Sequence, residues 1–543
     1  MNPREGSGRR WPAALATGTA IALLVALPLG PGLLAGAGGT GLVRIPVESL
    51  AIVLLLTVVP WRAARVALAG AFGAFVTLAL VLAGIDRGYE AVLGIHFVPL
   101  DWPQLGDAYG VVTDAVGATF ANLLVAGIVV VIAACVGGLA WAALRVARIV
   151  RRRADGRAAV AAVAGVWIVA AVVAPPLRTT DPVAAAASVG SVGTAVDRTV
   201  SALQEQAALA RDIADDPFAE VPGDRLLTAL RGKDVLVVFV ESYGRVALED
   251  PGISPGVGTV LGDAESALAA GGYLAQSAWL TSPTYGGRSW LAHSTLQTGV
   301  WIDAQTAYEQ VVASDRLTLT RAFSQAGWRT VGDVPSNIRP WEVGTSFYGY
   351  DTLLGASDVG YQGPRFGYAR VPDQYTLKHF ADTELAGAHE PVMAEIDLVS
   401  SHTPWAPLPR LVPWHELGDG SVFDGQPALS ASADAVWQDP RTVQRFYGRS
   451  VEYSLGALVS FLQNIDDPDL VMLVLGDHQP APIVSGPDAS HDVPVTLIAR
   501  DPAVLAAIGE WRWQGGLRPG EAAPVWRMDA FRDRFLEAFD MPR

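Results

Sequence analysis

The chain of 543 residues holds one cysteine, Cys135. No intrachain disulfide is possible, so any part outside the cytoplasm must hold together by packing and metal. A cysteine-based zinc site is excluded for the same reason. Positive charge is also scarce: the net charge is −15, which argues against a nucleic-acid binder. No internal repeat or long low-complexity tract is present. The first apolar stretch is too long, and too poorly followed by a cleavage site, for a cleaved signal peptide.

What the chain has in abundance is apolar sequence: 51% of its residues are hydrophobic, and the mean hydropathy is +0.30. The excess sits in residues 12–174. Five stretches, Trp11–Ala37, Ile45–Trp61, Val66–Gly84, Phe120–Leu144 and Ala158–Ala174, each approach the roughly 17–25 residues that cross a bilayer. The second is the weakest, being short and containing Glu48. Arginines decide the orientation. Arg4, Arg9 and Arg10 precede the first stretch, Arg62 and Arg65 follow the second, and Arg145, Arg148, Arg151, Arg152, Arg153 and Arg157 follow the fourth. Segment 85–117 instead carries Asp86, Glu90, Asp101, Asp107 and Asp114 against Arg87. By the positive-inside rule, five spans put the N-terminus in the cytoplasm and everything after Ala174 outside. Four spans would break the charge pattern. The expected division is a membrane domain at 1–176, a partly helical connector at 177–232 and an extracytoplasmic domain at 233–543. The connector includes SALQEQAALARDIADD, readable as an amphipathic helix on the membrane surface or on the catalytic domain.

From Asp234 onward strands and helices alternate. VLVVFV (235–240), PVMAEIDLV (391–399), LVMLVL (470–475) and VPVTLIA (493–499) are continuous apolar runs. Such runs suit a largely parallel sheet covered on both faces. Helices are expected at 289–299, 315–326 and 441–464. The whole reads as an α/β sandwich, in which ligands gather at the carboxyl ends of strands. Glu241, His402 and the pair Asp477–His478 fall at such ends.

Carboxylate, hydroxyl and imidazole at strand ends are what a metal-assisted phosphoryl transferase needs. Glu241 alone could be a surface charge. Gly476-Asp477-His478 is a stronger signal, putting two ligand types on one tight turn that Gly476 permits, and a set of this kind suits Mn²⁺ or Zn²⁺ better than Ca²⁺. Ser289, after TYGGR, stands where a helix begins, a place that favours an anionic phosphate. It is the proposed nucleophile, although serine is equally a common N-cap; Ser282 and Thr284 are competing hydroxyls. Arg288 can pair with phosphate oxygens. His402 can donate to a phosphoryl oxygen or serve as acid/base on the leaving group. His491 is a weaker candidate. Arg339 and Trp341, in NIRPWE, can bind phosphate and stack on a lipid headgroup, or Trp341 can be core.

Taken together, five spans, a strand ending in Glu-Ser, a Gly-Gly-basic-hydroxyl turn, Ser-His after a later strand and Gly-Asp-His resemble the lipoteichoic-acid synthase family. That family lies within the alkaline phosphatase/sulfatase superfamily. The resemblance extends to DRGYEAVLGIHF between the third and fourth spans. It implies an α/β sandwich of the alkaline phosphatase/sulfatase type, with Glu241, Ser289, Asp477 and His478 ligating one divalent metal. Manganese is the usual ion in that family; zinc and magnesium are alternatives. It places Ser289 where the family has a nucleophilic threonine, Arg288 where it has a lysine and His402 at its substrate-binding histidine. WEVGTSFYGYD resembles a Trp-containing family segment with different spacing. Asp333 stands where a substrate-contacting histidine is expected. No Cys/Ser-x-Pro-x-Arg signature surrounds Ser282 or Ser289, so the nucleophile is a plain hydroxyl rather than a sulfatase formylglycine.

The implied activity is transfer of a phosphoryl headgroup, such as glycerol phosphate, from a membrane phospholipid to a cell-envelope glycan or glycolipid through a phospho-serine. A phosphoethanolamine-type transferase with two zinc ions, or a phosphodiesterase-like hydrolase, is the enzymatic alternative; few extra ligands for a second metal are evident in the sequence. An inactive envelope scaffold is the alternative of another class, against which the intact ligand set argues.

Overall fold

The computed structural model describes residues 10–36, 45–93, 96–102, 105–106, 109–110, 113, 117–153, 155–173 and 184–540. Arg4, Arg9, Ala37, Gly94, Ile95, Asp107, Asp114, Ala174 and the connector's residues 177–183 lie outside the described residues, as does the Arg157 side chain. Two compact units divide at Glu205 and Gln206.

The first unit is helical. All five apolar stretches form helices: α1 (Arg10–Leu34), α2 (Val47–Val58), α3 (Arg62–Leu93), α4 (Ala118–Arg152) and α5 (Gly156–Val173). Three of these contain spans long and apolar enough to cross a membrane, Pro12–Leu34, Arg62–Ala91 and Ala118–Arg152. The 12 residues of α2 cover only about 18 Å at 1.5 Å per residue, short of a bilayer's hydrocarbon core. Leu24, Leu56, Phe72, Val76, Leu139 and Ala143 form the core between helices, while Leu123, Val130 and Val131 of α4 stay exposed, as a lipid-facing surface requires. Helices α3 and α4 meet at Gly73, where a Cβ would stand 2.5 Å from the Val136 carbonyl oxygen. Such close backbone approach needs a small residue. Glu48, the charge that weakens the second stretch, is buried because it caps the distant helix α6 (Ala187–Ala214). Its Oε1 accepts from the Ser188 and Val189 N–H groups at 3.0 and 3.3 Å, satisfying donors that a helix start leaves open.

The second unit is built on a sheet whose strands are β1 (Asp234–Val240), β2 (Leu274–Thr281), β3 (Arg329–Val334), β4 (Thr352–Gly355), β5 (Val392–Leu398), β6 (Leu470–Gly476), β7 (Asp492–Ala499), β8 (Gln514–Gly515) and β9 (Val525–Arg527). Their order is β8-β2-β7-β6-β1-β5-β3-β4, with β9 beside β2. The run from β6 to β4 is parallel. Strand β7 is antiparallel to both neighbours, so its start, not its end, lies at the carboxyl edge of the parallel strands. The four expected strands are present within a residue or two. Strands β2 and β3 escaped notice because LAQSAWLT and RTVGDV interrupt their apolar residues with polar ones, and β4, β8 and β9 because they are only 4, 2 and 3 residues long.

Each face of the sheet is covered. Leu236, Val238, Ala394, Ile396 and Met472 pack with α7 (Ser254–Ala270) and the long helix Pro440–Asn464. Val237, Phe239, Met393, Leu473 and Val495 pack with α8 (Ser289–Thr298), α9 (Leu319–Ala326) and Phe531–Phe539. Strand β1 is buried at every position, which is why its sequence reads as an unbroken apolar run. Residues 206–232 pack on this unit: Arg316 donates to the Asp212 and Asp215 carbonyls at 3.0 and 2.8 Å, closing the last turn of α6.

Candidate metal centre and nucleophile

Strands β1 and β6 lie side by side in register, Val240 opposite Gly476, so their carboxyl ends deliver Glu241 and Asp477–His478 to one place. Gly476 is required there for a different reason than a tight turn. A Cβ on it would lie 1.9 Å from the Tyr243 carbonyl oxygen, so only glycine lets β6 pass the turn after β1. Glycine's conformational freedom is used instead in TYGGRS, where Gly286 and Gly287 take φ of 70° and 151°. Gly286 N–H donates to the Gln479 carbonyl at 2.9 Å, which holds this loop against the Asp477–His478 turn and sets Ser289 beside it.

Arg288 occupies the N-cap position of α8 with φ 64°, and no side chain caps the helix. Ser289 is therefore the first helical residue and is not a cap. Its Oγ donates to Glu241 Oε2 at 3.0 Å and lies 3.2 Å from His478 Nε2. His478 Nε2 is in turn 3.4 Å from Glu241 and 3.3 Å from Asp477 Oδ2. His478 Nδ1 is 2.8 Å from the Gln479 carbonyl, an acceptor only, so Nδ1 carries the proton and Nε2 faces the cluster with its lone pair. Asp477 Oδ1 accepts from the Ser242 and His478 N–H groups, both at 2.7 Å. Asp477 Oδ2 is sealed from solvent without a hydrogen-bond partner.

This donor set fits a divalent metal. Four ligand atoms arranged tetrahedrally at about 2.0–2.1 Å from an ion stand about 3.3 Å apart. Ser289 Oγ and His478 Nε2, Ser289 Oγ and Glu241 Oε2, and His478 Nε2 with Glu241 Oε1 and with Asp477 Oδ2 stand 3.0–3.4 Å apart, close to that spacing, with Glu241 offering one oxygen to the serine and the other to the imidazole. The electrostatics agree. Burial would raise Glu241, but the positive charges that His402 and His478 can carry, and hydrogen bonds from Ser242 and Ser289, hold it down to about 2. Burial and the facing Glu241 carboxylate push Asp477 up. Two acids so placed ionise together most easily with a cation between them.

His402 follows β5. Its Nδ1 lies 2.5 Å from the Thr403 carbonyl, and its ring stacks on Tyr368 at 3.6 Å and 15°. It is within electrostatic reach of Glu241. Ser282 and Thr284 are buried, and the Thr284 N–H donates to Ser282 Oγ at 3.2 Å; neither joins the cluster. His491 reaches the same edge because β7 is antiparallel, but its Nδ1 is 3.2 Å from the Ser282 carbonyl. Arg339 and Trp341 line a separate cavity of about 380 Å³ with Asn337, Glu342 and Asp358, none of the four metal-set residues among its walls. Trp341 also packs on Tyr348, ring centres 5.2 Å apart. Asp333 is fully buried, its two oxygens without hydrogen-bond partners, and so offers no surface to a substrate.

A second cluster went unnoticed in the sequence: His293, Glu395 and Asp397, with ligand atoms within 4.8 Å of one another. The available signal was slight. Glu395 and Asp397 alternate in an apolar run, and His293 lies four residues beyond Ser289, on the same face of α8. Tyr368, stacked on His402, carried no signal.

No protein-family model and no curated protein matches the chain. Solved structures do. The chain is similar to the lipoteichoic acid synthase LtaP from Listeria monocytogenes at 14% identity, covering 58% of this chain and 74% of that one, with a TM-score of 0.38. It is similar to the Streptococcus pyogenes phosphoglycerol transferase GacH, solved with sn-glycerol-1-phosphate, at 12% identity, 61% and 80% coverage and a TM-score of 0.36. The integral membrane lipooligosaccharide phosphoethanolamine transferase A from Neisseria meningitidis is similar over 97% of this chain and 95% of its own, at 13% identity and a TM-score of 0.46.

Proposed function

We propose that this chain is a metal-dependent phosphotransferase of the bacterial-envelope kind, its α/β unit on the extracytoplasmic side of the membrane. It takes a phosphoryl headgroup from a membrane phospholipid, holds it on Ser289 and passes it to an envelope glycan or glycolipid. The observation that carries this reading is the Ser289 hydroxyl. It stands at a helix start, 3.0 Å from Glu241 and 3.2 Å from His478, in a donor set spaced for one divalent ion.

Glu241, Ser289, Asp477 and His478 would hold that ion, which when bound supplies positive charge to the phosphoryl oxygens and favours the serine alkoxide. The donor set suits manganese or zinc. Ser289 Oγ, its proton lost to solvent as the charged site assembles, forms the new bond to phosphorus. The bond from phosphorus to the diacylglycerol oxygen breaks, and His402 gives that oxygen its proton. Arg288 and the open N–H groups of α8 neutralise charge on the phosphoryl oxygens. In the second half an acceptor hydroxyl gives its proton to the now neutral His402 and attacks phosphorus, and Ser289 leaves as the alkoxide with which the cycle began.

The test uses full-length protein in vesicles of bacterial phospholipid, with diacylglycerol release as the readout. Release that requires a divalent ion, and vanishes in Ser289→Ala, is expected. Release that persists after chelation and in Ser289→Ala would overturn the reading.

A further inference from the structure

His293, Glu395 and Asp397 come from two elements that converge on one point. Ser289 and His293 are one turn apart on α8, so the helix that presents the nucleophile presents this imidazole on the same face. Glu395 and Asp397 are alternate residues of β5 and share the sheet face that α8 covers. His293 Nδ1 lies 3.1 Å from Glu395 Oε1 and 3.5 Å from Asp397 Oδ1. Phe239 stacks flat on the imidazole, 3.8 Å between ring centres and 10° from parallel, which fixes the ring plane.

The surroundings are those of a ligand set. Glu395 is oriented through its other oxygen, which accepts from Tyr350 OH at 2.9 Å and Gln297 Nε2 at 2.5 Å. Outer partners of that kind aim metal-binding carboxylates. Asp397 Oδ1 is shut off from solvent and has no hydrogen-bond partner, an acceptor turned toward the imidazole with nothing to receive. Charge points the same way. Asp397 is held up to about 7, by burial first; His293 opposes this, while Glu395, Glu241 and Asp477 add to it. Four carboxylates thus share one buried region. A dication at the first cluster balances two of them; burial would lower His293, but Asp397 and Glu395 hold it up to about 9, so its proton balances one more and one carboxylate charge remains.

We propose that His293, Glu395 and Asp397 form a second divalent-cation site. The ion replaces the proton between His293 Nδ1 and the two carboxylates, and that proton is released on binding. Two carboxylates and one imidazole select manganese or zinc over calcium. The proposal does not depend on the transfer chemistry.

The test is metal content of the full-length protein after dialysis against excess Mn²⁺, measured by plasma mass spectrometry. Wild type should hold two ions per chain. Glu395→Gln and Asp397→Asn should each hold one, and Asp477→Ala should hold one, the other. A second measurement covers variants that fail to fold: in wild type, paired Mn²⁺ should show spin–spin coupling in its paramagnetic resonance spectrum. One uncoupled ion in wild type, unchanged by Glu395→Gln and Asp397→Asn, would overturn the second site. Two ions in Asp477→Ala would instead count against the first cluster.

Discussion

Helix α8 (Ser289–Thr298) faces two carboxylate–imidazole clusters, giving Ser289 to one and His293 to the other, and the two are made in opposite ways. Glu241, Asp477 and His478 stand past the ends of two central strands, where backbone N–H groups satisfy Asp477 Oδ1 and a carbonyl fixes the His478 tautomer. Glu395 and Asp397 lie inside β5, supported by side chains from the helix and from Tyr350. A third buried acid completes the contrast. Asp373, fully buried, accepts from the Ser400 N–H at 2.9 Å and Ser454 Oγ at 2.6 Å. It is satisfied by hydrogen bonds alone and needs no ion. Buried acids alike in composition thus divide by what faces them.

The sharpest way to break this contrast is Asp477→Ala. Transfer should fall by about 10³-fold or more, the scale of losing charge stabilisation at a reacting centre, with the first metal lost and the fold kept by circular dichroism. His402→Ala should slow transfer from phospholipid by about 10²-fold. A substrate with a good leaving group, such as an aryl phosphodiester, should lose much less, since it needs no proton.

Asp373 gives a pH test free of metal. Burial raises its carboxyl to about 6, although Ser454 and Ser400 bond the charged form. Its ordinary value is 3.8. Between about pH 4 and 6 the folded chain therefore holds a proton that the unfolded chain has lost. This stabilisation is complete at the acid end and is lost as pH rises through about 6. At about 1.4 kcal/mol per unit it amounts to roughly 3 kcal/mol. Asp373→Asn should flatten that slope in denaturant titrations followed by tryptophan fluorescence. The smallest effect is Glu395→Gln, which should lower the rate about 10-fold, as loss of a supporting interaction does, while the first ion stays bound.

The same contrast explains what the sequence disclosed. The first cluster was legible because Glu241 and Asp477–His478 each end an unbroken apolar run, and strand ends are where α/β folds place ligands. Ser289 was legible as a helix start, though only Arg288 in the cap position shows that its hydroxyl is free of capping. Five helices were legible from hydropathy, but the burial of Glu48 needed its partner, the start of α6, 140 residues away. Glu395, Asp397 and His293 were hidden because each is isolated among apolar neighbours and only the pairing of β5 with α8 unites them. The antiparallel direction of β7 was equally hidden, since a run of apolar residues has no sense of direction.

The central claim is a phosphoryl group carried on Ser289. It is tested most directly by mass spectrometry of His402→Ala protein after incubation with bacterial phospholipid. The expected result is a headgroup phosphate adduct on the peptide containing Ser289, absent in the Ser289→Ala, His402→Ala double variant and retained when Thr284→Ala is added instead. An adduct on Thr284, or turnover of phospholipid with Ser289 never modified, would contradict it.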